Sequence, residues 1–233
     1  MTTVTEAFAR RAGPVSGLDA DADRLAAACR GMAERFRAGG RLLAAGRGLS
    51  AADVAHVVVE FVHPVIVGTR ALPALALPDG GSADSVELFG EPDDVLLAMS
   101  VDGDDPDLAA ALERAVAGGL LTVALTGGDG GAVAAADGVD HLVVVRSGDP
   151  RVVREAHVTA YHVLWELVHV FLAESSASGT SISTESSAGG TSISTESSAS
   201  GTSISTESSA SGTSISTESS AGGTSISTDG GPR

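Results

Sequence analysis

Cysteine is almost missing from this chain, with Cys29 the single one in 233 residues. One thiol excludes an internal disulfide, and no Cys/His spacing of the metal-knuckle kind occurs. The ordinary role of such a residue is a small buried helix position. Positive charge is scarce as well: 14 Lys and Arg stand against 30 Asp and Glu, a formal net charge of −16. With no basic cluster to offset that balance, nucleic-acid backbones and anionic membrane surfaces are excluded as partners. An apolar run of about 18 residues and a signal-peptide pattern are also lacking, so the expected compartment is the cytoplasm.

What is present divides into two compositions. After Glu174 come five tandem copies of an 11-residue unit, Ser-Ser-Ala-(Ser/Gly)-Gly-Thr-Ser-Ile-Ser-Thr-(Glu/Asp), over residues 175–229. Each copy holds one large apolar residue (Ile182, Ile193, Ile204, Ile215, Ile226), too little burial to offset the entropy of ordering the chain. Residues 175–233 are therefore expected to be a disordered, low-complexity tail. Thr180, Ile182 and Thr184 would share one face of a strand, so a thin β-solenoid is the alternative. Five carboxylates and Arg233 give the tail a net charge of −4, leaving −12 on the first 174 residues. That part is long enough to bury a core as one unit.

Residues 1–17 are polar, contain Gly13-Pro14 and are expected to form a flexible N-terminal arm, with the folded domain spanning 18–174. From Asp19 to Arg37 an apolar stripe of Leu25, Ala28, Met32 and Phe36 marks a packing helix. Beyond residue 41 the pattern alternates. Strand-like runs lie at 42–45, 72–77, 95–99, 120–125 and 141–145, and helical runs at 50–63, 106–117, 131–136 and 149–173. Continuous apolar strands separated by helices predict a parallel sheet covered on both faces, a doubly wound three-layer α/β/α sandwich. Ligands in that architecture sit beyond the carboxyl ends of the strands, here at the turns 46–50, 100–105 and 126–131. The last helix is apolar almost all round, which predicts a subunit interface on the faces that the sheet does not cover.

The first of those turns, Gly46-Arg47-Gly48-Leu49-Ser50, aims backbone N–H groups and a helix N-terminus at one point, a place suited to an anion. Ser50 is expected to cap the helix, with Asp53 three residues later. His56 and Glu60 follow four apart on one helical face, either as a pocket pair or as a polar pair on a solvated surface. His63, His141 and His169 have no motif support and read as surface or packing residues, and His157 reads as structural. The Asp-Gly-Asp-Asp run at 102–105 is oxygen-rich but lacks a Ca²⁺-loop spacing.

Three stretches together resemble the SIS (sugar isomerase) domain family, in its phosphoheptose isomerase-like branch. They are Gly-Arg-Gly-Leu-Ser-Ala-Ala-Asp-Val-Ala-His-Val-Val-Val-Glu (46–60), Leu-Leu-Ala-Met-Ser-Val-Asp-Gly-Asp-Asp-Pro-Asp (96–107) and Leu-Thr-Val-Ala-Leu-Thr-Gly-Gly-Asp-Gly-Gly (121–131). The last helix, with Arg154, Glu155, His157 and His162, is similar to the branch's final Gln-Glu-x-His-x-x-x-x-His helix. The resemblance implies a five-stranded parallel sheet and an isomerase that moves a carbonyl between C1 and C2 of a sugar phosphate through an enediol. It also implies a homo-oligomer, tetramer or dimer. By position, Glu60 and His162 would be the acid/base pair, and His56, Glu60 and His162 would hold zinc. Arg47, Gly48, Ser50, Ser100, Asp102, Gly103 and Arg154 would line the ligand.

Several positions depart from the family pattern. Val101, Asp102, Asp104 and Asp105 stand where its phosphate loop has Thr, Ser, Asn and Ser. Arg47 replaces an Asn, Arg154 replaces a Gln that joins the zinc ligands, and residues 78–93 are shorter than the family's segment. Pairing of Arg47 or Arg154 with Asp102 or Asp104 would make these changes coherent, with cations and anions exchanged around one pocket. Two functions follow. One is a carbohydrate-derivative-binding protein acting as a divergent phosphoheptose (sedoheptulose 7-phosphate) isomerase. The other is a non-catalytic SIS module serving as a protein-binding or regulatory scaffold.

Overall fold

The apolar runs pair as parallel strands, the three central ones buried on both sides and the two edge strands only in part. In the computed structural model, which describes residues 3–66 and 69–178 and then backbone strands alone, side chains are described through residue 174. The strands are β1 (Leu42–Ala45), β2 (Ala74–Ala76), β3 (Val95–Ser100), β4 (Leu121–Gly127) and β5 (His141–Val145). They lie in the order β2-β1-β3-β4-β5 and every pairing is parallel, with Leu43 opposite Leu75 and Leu96, and Leu97 opposite Val123. β1, β3 and β4 are buried at every position.

Alternate side chains feed two cores, as the period of a strand requires. Leu42, Ala44, Val95, Leu97, Met99, Val123 and Leu125 meet α2 (Ala22–Ala38), α3 (Ala51–Val62) and α7 (Pro150–Ser178). Leu43, Ala45, Leu96, Ala98 and Ala124 meet α4 (Ala83–Phe89), α5 (Pro106–Ala117) and α6 (Gly131–Ala135). Phe61 of α3, fully buried, stacks on Phe36 of α2 with ring centroids 5.8 Å apart. Side chains of this size stabilise a fold by about 1.5–3 kcal/mol each through burial. This is the expected three-layer sandwich. α4 shows that the shortened segment 78–93 keeps a helix.

Residues 4–16, read from the sequence as part of a flexible arm, form α1 (Val4–Ser16). Thr3 and Glu6 make a reciprocal capping box, and Arg11 bridges to Glu155 of α7 at 2.7 Å. Local hydrogen bonds of this kind leave little trace in an apolar pattern, and α1 buries no residue.

Beyond residue 174 the backbone runs as β6 (Thr180–Ser187), β7 (Gly190–Ser197), β8 (Thr202–Ser209), β9 (Gly212–Ser219) and β10 (Ile226–Thr228), paired antiparallel in the order β10-β9-β8-β7-β6. The side chains and connections of residues 175–233 lie outside the described residues, and so does the expectation of a disordered tail. Among the described residues no helix is long and apolar enough to cross a membrane.

Candidate functional site

The strand order reverses between β1 and β3, and the turns at their carboxyl ends open at that crevice. After β1, Gly48 adopts φ +56° with nothing within 4 Å of where a Cβ would stand, so this turn is left-handed and open. Gly103, after β3, has φ +76°, and a Cβ there would lie 2.2 Å from the Gly130 carbonyl oxygen. The turns after β3 and β4 are thus packed backbone to backbone, which only glycine permits.

Ser50 does not cap α3. A single 3₁₀ turn, Gly48–Ser50, precedes the helix, so Ser50 is already helical (φ −77°, ψ −15°) and its side chain makes no capping bond. Its hydroxyl is buried without a protein partner. Asp53, freed from any capping role, is 3% exposed and holds Arg154 of α7 in a bidentate pair, Nε to Oδ2 at 2.6 Å and Nη2 to Oδ1 at 3.0 Å. Those hydrogen bonds, and then the charge of Asp53, raise the pKa of Arg154.

Both arginines therefore find carboxylates, but not the ones that the sequence pairing names. Arg47 reaches Asp105 and Asp107, each at 3.0 Å, and Arg154 reaches Asp53. Asp102 turns back on its own loop, accepting from the Ser100 hydroxyl and the Asp104 N–H. The reason is geometric: Asp105 sits at the N-cap of α5, where its backbone is fixed and its side chain accepts the Leu108 N–H at 3.0 Å.

One turn further along α3, the predicted catalytic and metal residues come together. His56 Nε2 lies 3.1 Å from Glu60 Oε1, the His56 and His162 rings are 5.2 Å apart, and ligand atoms of His56, Glu60 and His162 all lie within 4.8 Å of one another. α3 and α7 pack side by side, so residues 56 and 60 on one meet residue 162 on the other. Two imidazoles and a carboxylate at this spacing form a donor set that fits zinc with a coordination position left open.

Tyr161 was readable only as a core or interface residue. It is fully buried, yet its hydroxyl lies 2.8 Å from His56 Nδ1. Burial, followed by the nearby Asp53 charge, pushes its pKa up, so the phenol stays protonated. This contact fixes the ring of His56 and leaves Nε2 facing Glu60, the orienting role that groups behind a metal ligand usually play. No sequence signal marks it, because the partner lies 105 residues away. A zinc ion at this donor set would be held about 10–100-fold more weakly by Tyr161→Phe in chelator competition, with a stability loss of only about 1 kcal/mol.

His157 has the structural character read from the sequence. It is 1% exposed, and burial lowers its pKa, opposed by a hydrogen bond to the Thr126 backbone. A histidine held neutral in the fold binds its proton only on unfolding, so it contributes stability above the ordinary histidine pKa of about 6.5 that is lost as pH falls below it. Unfolding free energies from urea titrations between pH 7 and pH 5 should fall more steeply for the parent than for His157→Gln, by up to about 1.4 kcal/mol per pH unit for one proton. Cys29 is buried, and burial raises its thiol to about 12, an inert thiol at neutral pH.

Comparison with known proteins gives a consistent result. The SIS domain family profile matches residues 15–127. The phosphoheptose isomerase of Desulfovibrio desulfuricans is 37% identical over 156 residues, covering 60% of this chain and 73% of the relative. That of a Roseiflexus species is 34% identical over 172 residues, covering 67% and 86%. Among solved structures, a phosphoheptose isomerase from Francisella tularensis superposes with a TM-score of 0.64 at 24% identity, covering 73% of this chain and 100% of that one, a likeness of fold.

Proposed function

Since this chain belongs to the SIS domain family, in its phosphoheptose isomerase-like branch, we propose that it binds a carbohydrate derivative and interconverts its aldose and ketose forms through an enediol. The observation that carries the reading is the meeting of Glu60, His56 and His162 from α3 and α7. Moving a carbonyl between adjacent carbons needs a base for the carbon-bound proton and a group that stabilises the oxygen as it becomes negative. Glu60 takes the proton from the carbon beside the carbonyl and returns it to the neighbouring carbon. His162 gives a proton to the carbonyl oxygen and recovers one from the adjacent hydroxyl, so the protein ends in its starting state. His56, bridged between Tyr161 and Glu60, holds the carboxylate in place.

His56, Glu60 and His162 would hold zinc, which when bound polarises the sugar oxygens. Arg154 cannot join as a ligand, being cationic and tied to Asp53. The reading is tested by proton NMR in D₂O with the zinc-supplied protein: deuterium entering the carbon next to the carbonyl of sedoheptulose 7-phosphate or another sugar supports it. Absence of exchange from every sugar offered, with no metal bound, would instead favour the non-catalytic module, a reading that the internal salt bridges of Arg47 support.

We also assign a homo-oligomeric state. Val15, Leu18, Leu25, Val163 and Leu167 line an open, largely apolar groove of about 390 Å³ beside α7, and Val59, Val65, Ile66 and Val170 are exposed. Apolar surface of this kind is what a second subunit covers. Light scattering on the purified chain should return a mass of at least two copies.

A further inference from the structure

The two turns at the reversal of strand order, 46–50 after β1 and 100–105 after β3, each lead into a 12-residue helix, α3 and α5. Turns of that kind, with N–H groups and helix N-termini converging at a strand-order reversal, receive the anionic end of a ligand. In this chain the donors of the second turn are already taken within the protein, chiefly by its own carboxylates. The Ser100 hydroxyl and the Asp104 N–H both donate to Asp102 Oδ1, each at 3.2 Å, and the Gly103 N–H donates to Ser100 Oγ at 3.0 Å. Asp105 Oδ1 accepts the Leu108 N–H and Arg47 Nη1, each at 3.0 Å. The cation brought by the first turn is likewise engaged on all sides: Arg47 also reaches Asp107 at 3.0 Å, the Asp79 carbonyl at 3.0 Å and the Gly81 carbonyl at 2.9 Å.

We propose that Asp102 and Asp105, the latter with Arg47 as its counter-ion, fill the anion receptor of this site and set its specificity for an unphosphorylated carbohydrate. Resting on the isomerase reading above, this names the substrate class as a free aldose or ketose. A phosphate arriving here meets carboxylates at 102, 104, 105 and 107, and the donors of the second turn would have to leave their internal partners to reach it. An uncharged hydroxyl meets no such repulsion. The Ser50 hydroxyl, 1% exposed and without a protein partner, is free to donate to or accept from a sugar hydroxyl, whichever that group needs.

Two measurements on the full chain test this. The first is thermal unfolding with inorganic phosphate, for the parent, for Asp102→Ser and for the triple variant R47N/D102S/D105S, where D105S retains a side-chain oxygen to cap α5. The parent should show no shift at 50 mM phosphate, and the triple variant should gain several degrees, with Asp102→Ser between them. A shift in the parent, or none in any variant, overturns the proposal. The second is deuterium exchange with free and terminally phosphorylated five- to seven-carbon sugars, where kcat/KM should favour the free sugars at least tenfold. Preference for the phosphate esters overturns the specificity and leaves the isomerase standing. Exchange with neither class removes the isomerase reading, and the substrate assignment with it.

Discussion

Glu60→Gln should lower carbon-bound deuterium exchange by about 10²–10⁴-fold, the usual contribution of a positioned general base, while the thermal midpoint moves by no more than a few degrees. The side chain keeps its size and one oxygen, so His56 Nε2, 3.1 Å from Glu60 Oε1, retains a neighbour. What is lost is a group able to accept a proton. Zinc affinity should fall in the same variant, because the carboxylate belongs to the donor set. His162→Gln separates the two roles: a drop in exchange with zinc restored by added metal identifies the imidazole as a proton carrier. An unchanged exchange rate in Glu60→Gln would sink the assignment of this carboxylate.

Arg154→Met should have the largest effect on stability. Asp53 is 3% exposed and depends on Arg154 for both of its carboxylate bonds. Leaving a buried carboxylate without its counter-ion costs about 3–5 kcal/mol. The Arg154 side chain is 36% exposed, so water can reach the gap and the lower end is expected. For a domain of this size about 3 kcal/mol corresponds to roughly 6–12 °C in Tm. The double variant Asp53→Leu with Arg154→Met should recover most of that loss, since replacing both partners of a buried pair is far cheaper than removing one. Additive losses in urea unfolding would show that the two do not act as a pair. A stable Arg154→Met protein with weakened sugar binding would make Arg154 a ligand group instead.

These two tests divide along the line between what the chain states and what folding arranges. The i,i+4 spacing of His56 and Glu60 is carried by the sequence, because a helix places such residues on one face. Their meeting with His162 is not, since it depends on α3 and α7 lying side by side, and only the resemblance of the whole motif set pointed to it. The pairing of the arginines was legible as chemistry and misplaced in address. Nothing in the order of residues 102–107 says which carboxylate faces Arg47. The cap position of Asp105 decides that, once α5 begins at Pro106. Ser50 followed by Asp53 is a reasonable capping signal, and a 3₁₀ turn of three residues was enough to defeat it.

By itself the sequence determined the layers: strands buried on both faces, amphipathic helices between them, and glycines where turns must pass close to backbone. Those are local properties, readable from period and composition. Tertiary structure alone decided that Tyr161 backs His56, that Asp53 neutralises Arg154, and that the loop after β3 satisfies its donors with its own carboxylates. Each of these rests on a contact between side chains whose separation in the chain, or whose rotamer within a turn, no periodicity records.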